Sequence, residues 1–136
     1  MHPGFLAPAL SGSPDGLVVK NTRSGLLLAE RLEGAFGSAV RRKGLLGRDG
    51  LPDGTAFVIA PSNAVHTFFM RFPIDIVFVR RNGQVITVKP NVPAYRIAAS
   101  LRAFAVIEMA AGGAARADVR PGDCLIIEPR PAVAGP

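Results

Sequence analysis

Apolar positions in this chain recur in short blocks rather than at a helical spacing. Leu17-Val18-Val19-Lys20-Asn21 reads as a strand, Thr22 to Gly25 as a turn and Leu26 to Glu33 as the returning strand. Thr55 to Ala60, Val65 to Met70, Ile74 to Arg81, Gln84 to Lys89, Phe104 to Ala110 and Cys124 to Glu128 are further blocks of strand length. Between them, Pro61 to Ala64 reads as a loop and Pro90 to Ser100 as irregular. Ala111 to Asp123 reads as a Gly- and Ala-rich connection ending in a Pro121-Gly122-Asp123 turn. Phe36 to Leu46 is the helix candidate. Ser38 is placed to cap it, Gly47 to close it, and Arg41, Arg42 and Lys43 stand where cations suit the helix dipole. Gly44 in its interior costs up to ~1 kcal/mol, which predicts a short helix. The pattern predicts a mainly β protein: a single-domain antiparallel β-sandwich or barrel with one short helix near residues 37–47.

Asn82-Gly83 is a hairpin signal for a two-residue type I′ turn, which needs φ > 0 at both positions. Such a turn pairs Val79 with Ile86 and Val77 with Val88. Both faces of the hairpin are then apolar in the middle, which predicts a central, doubly covered pair of strands. Asp75 is out of place in Pro73-Ile74-Asp75-Ile76-Val77-Phe78-Val79. A carboxylate there needs a partner, or its pKa rises. Glu108 repeats the theme on a face shared with Phe104 and Val106. His66 leads the apolar stretch Thr67-Phe68-Phe69-Met70, and Arg48 follows the helix candidate. Such groups, few and convergent among apolar walls, suit a ligand pocket. Each also has a plain structural reading. Asp75 can accept backbone N–H groups, Glu108 can pair with an arginine, and His66 can be a strand-edge histidine. Asp123 can be a turn residue and Cys124 a small buried hydrophobe.

The chain has 136 residues, the size of one domain. The Pro-, Gly- and Ala-rich ends predict a loose N-terminal tail over 1–15, a compact domain over 16–129 and a C-terminal tail over 130–136. The formal charge is +6, and 13 of the 16 basic residues are arginine. They are dispersed along the chain, and the one tyrosine, Tyr95, falls in a loop, so nucleic acid is an unlikely partner. A single cysteine excludes an intrachain disulfide and a multi-cysteine zinc site. Neither a metal nor a cofactor is expected. The start makes a poor secretory signal and no apolar run reaches membrane-spanning length, so no membrane partner and a cytoplasmic location are expected. No hydrolase, nucleotide-loop or zinc-protease signature occurs.

Three segments carry a family resemblance. They are Arg42-Lys43-Gly44-Leu45-Leu46-Gly47-Arg48-Asp49-Gly50-Leu51, then His66 to Phe78, then Val106-Ile107-Glu108-Met109-Ala110-Ala111-Gly112 with Val119 to Cys124. In this order they resemble domain-of-unknown-function family 192 over roughly residues 17–128. Phe69 and Arg71-Phe72 depart from the family pattern. The resemblance implies a compact, mostly β, bacterial or archaeal domain and no established activity. By position it carries over Arg42, Gly44, Arg48, Phe69, Met70, Pro73, Asp75, Glu108, Gly112, Gly122 and Asp123.

The residues support binding of a small polar ligand, a sugar or a polar anion, by Arg48, His66, Asp75, Glu108 and Arg42. One alternative is a hydrolase or isomerase using Asp75 and Glu108 as an acid/base pair. A second is a buried Arg48–Asp75–Glu108 network that fixes the fold, with interactions elsewhere on the surface. Ligand identity, catalysis and oligomeric state are left open.

Overall fold

A computed structural model describes residues 4–10 and 16–131. Its described strands are β1 (Leu17–Asn21), β2 (Leu27–Ala29), β3 (Arg31–Ala35), β4 (Thr55–Ile59), β5 (Ala64–His66), β6 (Ile74–Val79), β7 (Val85–Val92), β8 (Ile97–Ala99), β9 (Ala105–Ala110) and β10 (Leu125–Pro129). The helices are short: α1 (Ala7–Leu10), α2 (Ser38–Lys43) and α3 (Gly113–Arg116). The protein is mainly β, as expected.

One sheet has the order β3-β4-β9-β6-β7, a second β10-β1-β2, and β5 pairs with β8 as a small separate ribbon. The expected alternative of a barrel is corrected: among the described residues the sheets do not close. All pairs are antiparallel except β3 with β4. A parallel pair needs a long crossover, and residues 36–54 supply it and carry α2.

The middle strands β4, β6 and β9 are buried nearly throughout, which explains their unbroken apolar runs. One face of the five-stranded sheet packs with the β10-β1-β2 sheet around Val19, Leu28, Val58, Val77, Ile107 and Leu125. The opposite face carries Phe57, Ile59, Ile74, Ile76, Phe78 and Val106 beneath Leu45 and Leu51 of the crossover and Val65 and Ala98 of the ribbon.

Several expectations change. Leu26 to Glu33 is not one strand. Glu30 and Arg31 both donate to the Gly54 carbonyl, and the chain passes there from one sheet to the other. Pro90 to Ser100 is not irregular throughout, because β7 runs to Val92 and β8 follows. The strand expected over Val65 to Met70 is instead Ala64–His66. The helix ends at Gly44, whose φ of 52° stops it four residues before Arg48, and Gly37 rather than Ser38 holds the N-cap position. Residues 4–10 are not a loose tail: Phe5, Leu6 and Ala9 are buried in the core, and the Phe5 N–H donates to the Arg81 carbonyl. The remainder of the expected N-terminal tail, 1–3 and 11–15, and residues 132–136 lie outside the described residues. Cys124 is exposed, contrary to the buried position expected of it.

The hairpin pairs Val77 with Val88 as expected, but Val79 meets Val85 rather than Ile86. The Gly83 N–H donates to the Arg80 carbonyl, and of Asn82 and Gly83 only the glycine has positive φ. A three-residue loop with a glycine bulge therefore replaces the two-residue turn. Gly83 is also where β10 passes: a Cβ there would run into the Leu125 carbonyl, whose own N–H bonds to Gly83. Contact between the two sheets thus selects the turn.

Candidate functional site

Glu108 lies in β9, opposite Phe57 of β4 and Ile76 of β6. The pleat therefore turns its carboxyl to the outer face of the five-stranded sheet, into the apolar group that includes Val106. A cleft of about 460 Å³ opens over it, walled by α2 and the turn through Leu46 on one side and by β5 with Met70 on the other. Glu108 is 5% exposed and has no hydrogen-bond or salt-bridge partner among the described residues. Among the described residues no fully buried side-chain oxygen lacks a partner, so the unpartnered Glu108 carboxyl oxygens keep contact with the cleft. Burial pushes its pKa up to about 7. At neutral pH the group is then divided between a hydroxyl donor and a carboxylate acceptor, and it can meet either kind of ligand polar atom.

The rim has the opposite character. Arg42, Lys43 and His66 line the cleft and are exposed, and among the described residues neither Arg42 nor Lys43 meets a carboxylate. Arg41 is tied back, donating to the Phe36 carbonyl at 2.8 Å. The His66 Nδ1 accepts the Phe68 N–H at 3.3 Å and the ring stacks on Phe68. With Nδ1 so engaged, Nε2 is the nitrogen left for a ligand.

Of the five residues expected to share a site, the cleft brings together Arg42, His66 and Glu108. Asp75 is not among them. It lies opposite Met109, so its side chain points to the inner face. There Oδ1 accepts the Asn91 N–H at 2.8 Å, and Oδ2 accepts the N–H groups of Gly112 and Ala114 at 3.1 and 3.0 Å. Asp75 fastens the distorted end of β7 and the start of α3 to β6, a structural task, and it does not line the Glu108 cleft. Arg48 also lies elsewhere. It pairs with Glu33 at 2.8 Å on a half-exposed surface, its guanidinium over the Phe57 ring. Both the Asp75–Glu108 acid/base pair and the buried Arg48–Asp75–Glu108 network are thereby corrected, because the sheet separates the two carboxylates.

A polar cluster escaped the sequence reading. Buried Asp123 accepts from the Asn21 amide at 3.0 Å, the Arg23 guanidinium at 2.7 Å and the Arg120 N–H at 2.9 Å. Arg23, with Asn21 and the Arg120 N–H, holds its carboxyl down to about 2. Arg120 N–H closes the expected turn, but the Asn21 and Arg23 contacts span about a hundred residues and have no local signal. Lys43 as a cleft residue was likewise missed, although it flanks Arg42, and Met70 was singled out by the resemblance but given no place in a site. Among the described residues no three His, Cys, Asp or Glu side chains cluster as metal ligands. No described helix is long and apolar enough to cross a membrane.

The model of domain-of-unknown-function family 192, described as Uncharacterized ACR, matches residues 19–127. No curated protein matches. Among solved structures, a protein of unknown function from Novosphingobium aromaticivorans DSM 12444 is 29% identical, with a TM-score of 0.69 over 80% of this chain and 81% of its own. A candidate transcription regulator from Sinorhizobium meliloti 1021 is 22% identical, with a TM-score of 0.70 over 80% and 89%. At that identity the second likeness shows the fold alone.

Proposed function

The chain belongs to domain-of-unknown-function family 192, and for it we propose the binding of a small polar ligand, a sugar or a polar anion, in the Glu108 cleft. One observation carries this reading: a buried carboxyl with no protein partner faces an open cleft of about 460 Å³. A carboxyl this buried keeps little contact with water and has no protein hydrogen bond in return, which is costly. A ligand hydroxyl or amine would remove that cost, and the mostly apolar walls would exclude water around the bond. Arg42 and Lys43 at the rim favour a ligand that also carries negative charge. The exposed thiol of Cys124 supports a reducing, cytoplasmic setting.

Thermal-shift titration with neutral sugars, sugar acids and small carboxylates at millimolar concentration tests the reading. A ligand at 100 times its Kd stabilises the fold by about 2.7 kcal/mol. Stabilisation of the native chain that disappears in Glu108→Gln and weakens in Arg42→Ala is expected. No stabilisation by any of these compounds sinks the proposal.

A further inference from the structure

The cleft does not end at His66. The imidazole stacks on Phe68 at 5.3 Å between centroids, Phe68 meets Tyr95 at 6.2 Å, and Tyr95 meets Phe69 edge-on at 5.7 Å. These rings form a shelf running outward from the cleft wall. Its far end is open: Phe69 is 73% exposed and Tyr95 60%. Large rings left in water in contact with one another mark a binding surface more often than a folding need.

The backbone beneath the shelf is unusual. Phe69 and Tyr95 both have φ of 63°, the left-handed region that bulky side chains avoid at a cost of roughly 1–2 kcal/mol per residue. No burial of either ring offsets that cost. Thr67, itself buried, holds both loops in place. Its hydroxyl donates to the Pro93 carbonyl at 2.6 Å and accepts the Arg96 N–H at 2.9 Å, and its carbonyl accepts the N–H groups of Tyr95 and Met70. The fold thus fixes two exposed aromatic rings in strained positions beside the cleft, an arrangement associated with ligand clamps.

Resting on the small-ligand reading above, we infer that the occupant is an acidic saccharide of more than one ring. One ring would sit in the cleft with a hydroxyl on Glu108, and the next would lie on the Phe69–Tyr95 shelf. The negative face of an aromatic ring attracts the polarised C–H groups on the flat side of a pyranose. Carboxylates on the sugar would meet Arg42 and Lys43 at the cleft rim and Arg96 next to the shelf, where its guanidinium donates to the Tyr95 carbonyl; none of the three has a carboxylate partner among the described residues. Together the cleft and the shelf match the mixed character of such a chain, with hydroxyls, flat apolar sides and negative charge.

Isothermal titration with galacturonic acid, trigalacturonic acid and neutral galactotriose tests this. The acidic trimer is expected to bind at least tenfold more tightly than the monomer and than the neutral trimer. Phe69→Ala and Tyr95→Ala are expected each to cost about tenfold on the acidic trimer and less than twofold on the monomer. Arg42→Gln with Lys43→Gln is expected to abolish the preference for the acidic trimer. The inference is overturned if the trimer binds no better than the monomer, if removing the rings is silent, or if the neutral trimer binds equally well. It is also overturned if the ring variants change only self-association in sedimentation. Should none of these saccharides bind while another small ligand still requires Glu108, this inference fails and the cleft reading stands. Should no ligand bind the cleft, both fail.

Discussion

Asp75 and Glu108 stand on neighbouring strands of one sheet and face opposite sides of it: Asp75 is opposite Met109, and Glu108 is opposite Ile76. The pleat makes this unavoidable, since an antiparallel partner shares a face and the next residue does not. The two carboxyls therefore have separate tasks. One is saturated by three backbone N–H groups, and the other has none and opens on a cleft. Substitutions at the two positions should separate stability from binding.

Asp75→Asn should be a stability mutation. An amide nitrogen cannot accept the hydrogen bonds from Asn91, Gly112 and Ala114 that both carboxylate oxygens now take. At least one buried N–H is orphaned in either orientation of the amide. The expected loss is about 3 kcal/mol, within the range for an unsatisfied buried donor together with a lost charge-assisted bond. Urea denaturation measures it. A loss below about 1 kcal/mol would show that the three bonds are not worth their geometry.

Arg48→Ala should do little. Its ion pair with Glu33 has both side chains about 40% exposed, and such pairs contribute about 0–1 kcal/mol. The residue does not line the Glu108 cleft. Ligand affinity there should stay within twofold of the native chain, and the midpoint of urea unfolding should barely move. A tenfold loss of affinity would place Arg48 in the site after all.

Where the sequence was informative, the signal was local or periodic. The apolar faces of the Asn82-Gly83 hairpin identified β6 as doubly covered, but its partner β7 is a half-exposed edge strand rather than a central one, and a charged residue inside an apolar run identified Asp75 and Glu108 as unusual. The period of two alone does not say which face of a sheet meets a cleft, because both faces here are apolar. Thus two residues with the same sequence signature received the same expected role. Arg48 was grouped with them by nearness to the helix, but the chain leaves the cleft after Leu46, and Arg48 pairs with Glu33 instead. The Asn21–Arg23–Asp123 cluster and the shelf held by Thr67 depend on contacts between distant segments, which no window of sequence displays. The Asn82-Gly83 turn was misjudged for a related reason: the carbonyl of Leu125 decides how close that loop comes to β10.

Asp123 should govern part of the acid limb of stability. Its pKa is held near 2 in the fold, chiefly by Arg23, against 3.8 for a free aspartate. A depressed acid pKa means that the unfolded chain binds the proton first, so this contribution is complete above pH 4 and is lost as pH falls through 2. Asp123→Asn should cost roughly 2 kcal/mol at neutral pH, the scale of lost charge-assisted hydrogen bonds. The gap between variant and native chain should narrow between pH 4 and 2. A gap that stays constant across that window would remove Arg23 and its neighbours as the cause.

Glu108 should produce the opposite dependence. Burial raises its pKa from 4.5 to about 7 in the folded chain. Between those values the folded protein holds a proton that the unfolded chain has released, so raising the pH favours unfolding by about 1.4 kcal/mol per unit. The penalty begins near pH 4.5, reaches about 3 kcal/mol near pH 7 and then levels off. Glu108→Gln keeps the shape of the side chain and removes the proton. The variant should match the native chain near pH 4 and exceed it by up to about 3 kcal/mol at pH 8, measured by urea denaturation without ligand. A difference that does not grow between pH 4.5 and 7 would mean that the carboxyl is better solvated than its burial implies, and would remove the main physical reason for a ligand to sit on it. If the difference does grow, the same residue that weakens the empty protein is the one a bound hydroxyl or amine would satisfy, and ligand should narrow the gap by stabilising the native chain more than Glu108→Gln.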